Sequence, residues 1–152
     1  MIALPRVAQR EDLGAIEALV ADAYRDYIPR IGCKPGPMLD DYAARLRAGQ
    51  VYVLADGAQI QALLVLINEA PVLLLDNLAV APACQGRGLG RHLLAFAEQV
   101  ARDTGCTSIR LYTNEAMAEN IAIYTRAGYR ETHRAQANGL RRVYMSKALA
   151  GA

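Results

Sequence analysis

The sequence predicts an α/β (α+β) fold in which about four helices flank a central mixed, mostly antiparallel sheet of about seven strands. Three observations carry this prediction. The length of 152 residues suits a single domain, residues 1–152, with a sizeable core. Short apolar or alternating runs of strand length are interrupted by amphipathic segments at helical spacing. Asp-Gly at 56–57 and Asn-Gly at 138–139 are typical of hairpins between antiparallel strands.

The first half of the chain is predicted to run strand, helix, helix, strand, strand, over 2–8, 11–27, 39–48, 51–55 and 60–67. The first helix has an apolar face at helical spacing and acids in its first turn. Three prolines and two glycines within 29–37 indicate that a shaped loop ends this helix, and Gly49 closes the second one. The loop is either a binding wall or a rigid connector whose tyrosines pack on the core.

The second half is predicted to run strand, helix, strand, helix, strand, strand, over 72–80, 88–103, 108–112, 118–126, 129–133 and 140–145. The first of these strands is an apolar run, which favours a strand covered on both faces, and Pro82 should stop it. Gly128 is well placed to cap the second helix. Helices between strands predict parallel pairing there, whereas the hairpins predict antiparallel pairing elsewhere.

Composition excludes several function classes. The net charge is +2 and the basic residues are spread along the chain, so we expect no nucleic-acid partner. Cys33, Cys84 and Cys106 are odd in number and lack metal or CxxC spacing, which predicts reduced thiols, no metal and a cytoplasmic location. The chain begins with no signal-peptide pattern and contains no run of membrane-span length, so no membrane partner is expected.

A glycine-rich loop, Gln-Gly-Arg-Gly-Leu-Gly at 85–90, joins the strand 72–80 to an amphipathic helix. Glycines at a helix N-terminus expose backbone N–H groups at its positive end, which favours a phosphate site. The spacing fits neither the G-x-G-x-x-G dinucleotide fingerprint nor the Walker A loop. The alternative is a tight strand-to-helix turn that binds no ligand.

With this loop, two further motifs make the sequence resemble the GNAT superfamily of N-acetyltransferases. The matching residues are Leu78-Ala79-Val80-x-Pro82, Gln85-x-x-Gly88-x-Gly90 and Asn120-x-x-x-Tyr124-x-x-x-Gly128-Tyr129. The resemblance extends to the predicted order of elements over nearly the full length. It implies a sheet splayed between its fourth and fifth strands, and acetyl-CoA as co-substrate.

The resemblance also implies which residues bind the cofactor. The loop amides, together with Arg87 and Arg91, are expected to hold the pyrophosphate. The pantetheine arm is expected to bond the unpaired backbone of the splayed fourth strand, since unpaired groups there would otherwise be costly. The implied cofactor-binding residues are Leu78, Ala79, Val80, Gln85, Gly86, Arg87, Gly88, Leu89, Gly90, Arg91, Asn120 and Tyr124.

Two catalytic groups follow from the same resemblance. Tyr124 lies four residues after Asn120, on the same helix face, and is implied to sit near the thioester sulfur as general acid. Because a phenol has a pKa of about 10 and a thiol about 8.5, full proton transfer to the thiolate is uphill, so we expect a hydrogen-bond donor. A backbone N–H of Leu78 or its neighbour is implied to polarise the thioester carbonyl.

The general base is predicted from the residues themselves. Asp76 is the only carboxylate in the middle of its strand, and simple alternation places it on one face with Leu74, Leu78 and Val80. Apolar neighbours would raise its pKa, so that it accepts a proton directly or through water. The alternative prediction is that Asp76 only orients the substrate or caps a neighbouring backbone group. Glu115 is the second candidate base.

The acceptor is predicted to be a small-molecule primary amine that attacks acetyl-CoA directly in a ternary complex. The residues expected to bind it are Tyr24, Tyr27, Arg30, Lys34 and Asn114. Arg30 and Lys34 suggest an acceptor that bears a carboxylate or phosphate. Two alternatives remain: an acetyltransferase acting on proteins or peptides, and an acyl-CoA sensor without turnover. A homodimer is possible.

Overall fold

The computed structural model describes residues 3–137 and 139–149. Within these ranges the seven strands are β1 Arg6–Val7, β2 Val51–Asp56, β3 Gln59–Glu69, β4 Val72–Val80, β5 Ser108–Asn114, β6 Arg130–Ala137 and β7 Leu140–Ala148. The five α-helices of the same ranges are α1 Leu13–Tyr24, α2 Tyr27–Ile31, α3 Tyr42–Arg47, α4 Leu89–Asp103 and α5 Ala118–Arg126. Short 3₁₀ turns lie at Arg10–Asp12, Gly36–Leu39 and Pro82–Cys84.

All seven described strands form one sheet, in the order β1-β2-β3-β4-β5-β7-β6. Among the described strands, β4 and β5 pair in parallel, joined by α4, and every other pairing is antiparallel. This confirms the predicted mixed, mostly antiparallel sheet, but the parallel pairing predicted across α5 is wrong, because β7 lies between β5 and β6. The structure adds one helix to the four predicted.

The sheet splays in its middle, as the resemblance implied. The pairing of β4 with β5 runs from Val72–Ser108 to Leu75–Leu111 and stops there. β4 nevertheless continues to Val80, so its second half keeps β3 as a partner on one side and faces a gap on the other. The candidate active site lies at this gap.

A bulge in β4 lies where the splay begins. Val65 of β3 pairs with Asn77 and Leu66 pairs with Leu75, which leaves Asp76 as an extra residue. The extra residue shifts the alternation of side chains, so that Leu75 and Leu78, three residues apart, pack on the same cluster. The β4 side chains that follow Asp76 therefore point to the opposite faces of the sheet from those that strict alternation predicts.

The core is divided into two clusters, one on each face of the sheet. Leu93 of α4 and Tyr124 of α5 belong to the first, together with Leu75 of β4. Leu19 of α1 belongs to the second, together with Val53 of β2. Because helices cover both faces, the central strands are buried on both sides, which is why β4 appears in the sequence as an apolar run.

Two local predictions need correction. The predicted helix 11–27 is a 3₁₀ turn followed by two helices, α1 and α2, and the chain stays helical through Pro29 to Ile31. Proline is tolerated there because the N–H that it lacks belongs to the first turn of α2, which has no intrahelical acceptor. The predicted 138–139 turn lies partly outside the described residues, because Asn138 is not among them.

Candidate active site

The larger of two neighbouring cavities, about 800 Å³, lies between the end of β4, the start of α4 and α5. The residues predicted to bind the cofactor all line it, with two exceptions. Arg87 is exposed and lines neither this cavity nor the smaller one, and Tyr124 lines the smaller cavity. The predicted set is therefore largely brought together in one place.

The glycine loop forms one end of the larger cavity. Gly86 and Gly88 have φ of 80° and 79°, a left-handed backbone that other residues adopt only at a cost. A Cβ added at Gly88 would lie 3.7 Å from Nη2 of Arg91, so the Arg91 guanidinium lies against the loop. The loop therefore combines a glycine backbone with a positive side chain.

The helix that follows the loop begins without a side-chain cap. α4 starts at Leu89 after Gly88, and within 3–137 and 139–149 no side chain accepts a hydrogen bond from its first N–H groups. These N–H groups also lack intrahelical partners, and the helix dipole adds positive potential. A diphosphate ester such as coenzyme A supplies the oxygens that this end of the cavity lacks, so the residues fit the group.

The splayed half of β4 forms the side of the larger cavity. The N–H of Ala81 donates to the oxygen of Gln61 at 2.8 Å. Because bonded pairs alternate in an antiparallel ladder, the backbone groups of Leu78 and Val80 face away from β3, towards the gap. Tyr24 and Gln85 side chains lie 3.2 and 3.4 Å from the two carbonyl oxygens. The two N–H groups remain for an extended polar ligand.

The smaller cavity, about 460 Å³, lies on the other side of Leu78. Its walls are the loop 33–37, the middle of β4, the end of β5 and side chains from α3, α5 and β7. Tyr24, Leu78 and Asn120 line both cavities, so the two meet at the splayed strand. A molecule in one cavity can therefore reach a molecule in the other at this point.

A buried hydrogen-bond network supports the junction of the cavities. The Tyr24 hydroxyl donates to the side-chain oxygen of Asn77, whose amide donates to the Tyr42 hydroxyl at 2.9 Å. Tyr42 in turn donates to the backbone oxygen of Pro37, in the wall of the smaller cavity. The network ties α1, α3 and the loop to β4, and buried polar networks of this kind hold one geometry when every member is bonded.

Tyr124 places its hydroxyl at the smaller cavity from a buried position on α5. Among the described residues, this hydroxyl has no hydrogen-bond partner within the protein, so it is free to bond a ligand. Burial raises the pKa of Tyr124 well above its usual value. Proton transfer to a thiolate is therefore more unfavourable than the reference values indicate, which favours a hydrogen-bond donor.

Asp76 enters the smaller cavity from the bulge. Burial raises the pKa of its carboxyl, the charge of Asp40 raises it further, and Arg45 lowers it in part. Arg45 lies between the two carboxylates, 3.2 Å from Asp40 and 3.8 Å from Asp76. A carboxylate with a raised pKa in a cavity has the properties expected of a general base near neutral pH.

The structure corrects the predicted face of Asp76. Leu78 and Val80 pack against the cluster beneath α4, whereas Asp76 lies beside Arg45 of α3, on the opposite face. The prediction that these residues share one face is wrong, because strict alternation fails at the bulge. The chemical role suggested for Asp76 does not depend on that face.

Some residues predicted to bind the acceptor lie elsewhere. Lys34 and Asn114 line the smaller cavity, but Tyr27 and Arg30 line the larger one. Both are held by Glu119 of α5, since Tyr27 donates at 3.1 Å and Arg30 at 2.9 Å. The unpredicted helix α2 is the reason: it turns this segment towards α5.

The second candidate base, Glu115, is also away from the cavities. It lines neither cavity and pairs with Arg141 at 3.3 Å and with Arg134 at 3.7 Å. The charge of Glu115 is therefore paired with these two arginine side chains at the surface of the protein, near β5 and β7. Of the two carboxylates predicted as the base, only Asp76 lines the smaller cavity.

Several residues of the smaller cavity were not predicted from the sequence, namely Asp40, Arg45, Asn77, Tyr112 and Arg142. Asn77 had a detectable signal, because a polar residue within an apolar strand usually has a specific partner. The others come from separate elements and have no spacing relationship with the glycine loop. Only the folded chain brings them together.

Comparison with known proteins identifies the family. The profile of the Acetyltransferase (GNAT) family matches residues 16–129, more than half of the chain. The chain belongs to this family. Acetyl-CoA is the co-substrate of GNAT proteins, and the larger cavity has the loop, helix end and open strand that suit it.

One curated relative is the aminoalkylphosphonate N-acetyltransferase of Salmonella typhimurium, 36% identical over 59 residues. The match covers 39% of this chain and 38% of that protein, so it spans well under half of the relative.

Solved structures with the same fold cover nearly the whole chain. PaiA N-acetyltransferase from Thermoplasma acidophilum, in complex with coenzyme A, has a TM-score of 0.78 and 15% identity, covering 96% of this chain and 98% of that one. Ribosomal-protein-S18-alanine N-acetyltransferase from Escherichia coli has a TM-score of 0.77 and 18% identity, covering 98% and 95%. At these identities the likeness shows the fold.

Together these findings confirm the resemblance to GNAT proteins, the splayed fold and, at the level of the family, an acyl-CoA-dependent N-acetyltransferase that uses acetyl-CoA. Within the described residues, no helix combines the length and apolarity needed to cross a membrane. Over the same residues, no group of three or more His, Cys, Asp or Glu side chains is arranged to hold a metal ion.

Proposed function

We propose that this protein transfers an acetyl group from acetyl-CoA to the primary amine of a small molecule, by direct attack within a ternary complex. The observation that carries the proposal is the smaller cavity. Its volume of about 460 Å³ is in the range of small-molecule sites, and the loop 33–37 walls it. A peptide acceptor would need an open groove. The name of the Salmonella relative, which specifies an aminoalkylphosphonate, supports a small amine as well.

In this proposal the larger cavity holds the acetyl donor, which supplies an acetyl group activated as a thioester. The loop amides and Arg91 bind the diphosphate, and Asn120 with the N–H groups of Leu78 and Val80 bonds the extended arm. Arg87 is left out of this set because it does not line the cavity. The reacting end then lies at Leu78, where the cavities meet.

The smaller cavity supplies the acid–base groups. The attacking amine must lose a proton, and neutralising an amine of pKa about 10.4 near neutral pH costs roughly 4 kcal/mol. Asp76 accepts that proton directly or through water, helped by its raised pKa. The N–H of Leu78 polarises the thioester carbonyl, and Tyr124 donates a hydrogen bond to the sulfur as the carbon–sulfur bond breaks.

The test is thiol release from acetyl-CoA over amines, amino acids and peptides, with Tyr124→Phe beside the native protein. We expect turnover of a small amine, and a kcat about 100-fold lower in the variant because it loses one hydrogen-bond donor. The affinity for coenzyme A should be retained, since Tyr124 does not line the larger cavity.

A matched control is Tyr129→Phe. The two rings contact each other with centroids 5.9 Å apart, but among the described residues the buried Tyr129 hydroxyl has no hydrogen-bond partner. This variant should keep full activity and lose no stability, because it removes a hydroxyl that bonds nothing. An equal loss of kcat in both variants would contradict the role of Tyr124.

The other outcomes separate the competing functions. Turnover of peptides alone would replace the small-molecule proposal with a protein N-acetyltransferase. Coenzyme A binding without product from any acceptor would favour the sensor. A cytoplasmic location and a homodimer stay predictions, to be checked by fractionation and by sedimentation.

A further inference from the structure

The smaller cavity contains more positive than negative side chains, beyond what proton transfer requires. Its charged lining residues are the carboxylates Asp40 and Asp76 and the cations Lys34, Arg45 and Arg142. Arg45 is already committed, because it lies between the two carboxylates. Lys34 and Arg142 therefore have no role in the reaction as derived above.

Arg142 is held in place by aromatic side chains. Its Cζ lies 4.1 Å from the centroid of the Tyr112 ring, and its Nη1 is 3.5 Å from the Tyr144 hydroxyl. Tyr112 and Tyr144 in turn contact each other, with centroids 5.7 Å apart. Stacking on a ring occupies the face of a guanidinium and leaves the donors at its edge available.

Arg142 also lacks the carboxylate that its neighbour has. Arg141, the preceding residue of β7, is exposed and pairs with Glu115 at 3.3 Å. Among the described residues, by contrast, no carboxylate lies within 4.0 Å of the Arg142 guanidinium. A half-buried guanidinium on a cavity wall with unused donors is available to bind an anion that enters the cavity.

We propose that the acceptor carries an anionic group as well as its amine, and that Arg142 binds this group in the smaller cavity. The inference rests on the proposed function and names its substrate class. A planar fork of N–H donors suits a carboxylate or a phosphonate, and Lys34 on the facing loop adds a second positive charge. Asp76 then attracts the amine end, so the charges of the cavity orient the molecule.

The experiment compares three short amines: β-alanine, 2-aminoethylphosphonate and β-alaninamide, whose carboxamide end carries no charge. The native protein should use one of the two anionic amines with a kcat/KM at least about tenfold above that of the amide. Arg142→Gln should lower kcat/KM for the anionic amines by about 10-fold to 100-fold and change that for the amide by less than about threefold. Whether the carboxylate or the phosphonate is preferred identifies the anion.

Arg141→Gln is the matched control, because it removes the same charge from the preceding residue, which lies outside both cavities. It should keep the preference for the anionic amine. Arg142→Lys, which keeps the charge without the planar fork, should retain part of the preference and guards against a folding defect in the glutamine variant.

Calorimetric titration of the three amines into the protein saturated with coenzyme A repeats the comparison without turnover. Tighter binding of an anionic amine, lost in Arg142→Gln, supports the anion site even where thiol release fails, and that failure then counts against the proposed acetyl transfer alone. Equal binding and turnover of all three amines, or an equal decrease for all three in Arg142→Gln, would overturn the assignment of Arg142.

Discussion

The two cavities that meet at Leu78 are built in different ways. About half of the lining of the larger one comes from one continuous stretch, β4 through α4, which contributes the open edge of a strand and a glycine loop, and the rest comes from the α1–α2 segment and α5. The smaller one is formed by side chains from α3, β4, β5, α5 and β7, together with the loop 33–37. A shared cofactor can be bound by shared backbone geometry, whereas an acceptor is selected by side chains.

The two cavities also differ in how their charged groups are arranged. In the larger cavity no side chain of the described part of the chain caps the N–H groups at the start of α4, and the ion pair of Arg30 with Glu119 is exposed. In the smaller cavity burial and the charge of Asp40 raise the pKa of Asp76, and the nearby Arg45 lowers it only in part. We therefore expect substitutions in the smaller cavity to change the chemistry and its pH dependence, and substitutions in the larger one to change cofactor affinity.

The largest effect is expected for Asp76→Asn. An amide cannot accept the amine proton, so kcat should fall by about 100-fold. Because the pKa of Asp76 is raised, the native kcat should decrease on acidification above the usual aspartate range, and this part of the pH profile should be absent from the variant. The measurement is kcat against pH for the native protein and the variant.

Stability should move in the opposite direction from activity in this variant. A carboxyl with a raised pKa in the folded state contributes stability at low pH that is lost as pH rises through that pKa. Asp76→Asn should therefore unfold at a higher urea concentration than the native protein at neutral pH, and the difference should shrink in acid. Asp56→Asn, in the exposed β2–β3 hairpin, should change neither property. A stable variant with native kcat would exclude Asp76 as base.

A smaller effect, confined to the cofactor, is expected for Gly88→Ala. The left-handed backbone at φ 79° is unfavourable for alanine, so the loop amides should shift and the Kd for coenzyme A should rise at least about tenfold. Gly105→Ala is the control, because Gly105 has φ 77° and open space around it but lies outside both cavities.

Both glycine variants should lose similar stability, about 1 kcal/mol, from the same backbone strain. Calorimetry with coenzyme A and urea denaturation measure the two properties separately. If the variants bound coenzyme A equally well, the loop backbone would not be part of the cofactor site.

The smallest effect is expected for Arg30→Ala. Arg30 lines the larger cavity in an exposed ion pair with Glu119, so the Kd for coenzyme A should change by less than about fivefold and the acceptor KM should not change. Steady-state kinetics with each substrate varied in turn measures both. Arg25→Ala, which breaks the exposed pair with Asp22 away from both cavities, is the control. If Arg30→Ala clearly raised the KM for the acceptor and Arg25→Ala did not, α2 would be part of the acceptor site.

Much of the fold was predictable because its signals are local. The strand Val72–Val80 and the helix Ala118–Arg126 begin and end where periodicity, Pro82 and Gly128 indicate. The helix 11–27 was less predictable: it divides into α1 and α2, and Tyr27 and Arg30 of α2 contact Glu119, which lies 92 and 89 residues away in the chain. Local propensity contains no information about such partners.

The strands, the glycine loop and the family could be predicted from sequence alone, because strand period, turn residues and motif spacing act over a few neighbouring residues. The folded structure is what sets the direction of the Asp76 side chain, since a bulge is a relation between β4 and its partner β3. It likewise decided that Arg142 stacks on Tyr112 beside Asp76, because strand pairing brings together residues that lie far apart in the chain. The smaller cavity, where we propose that the acceptor binds, is a product of that pairing.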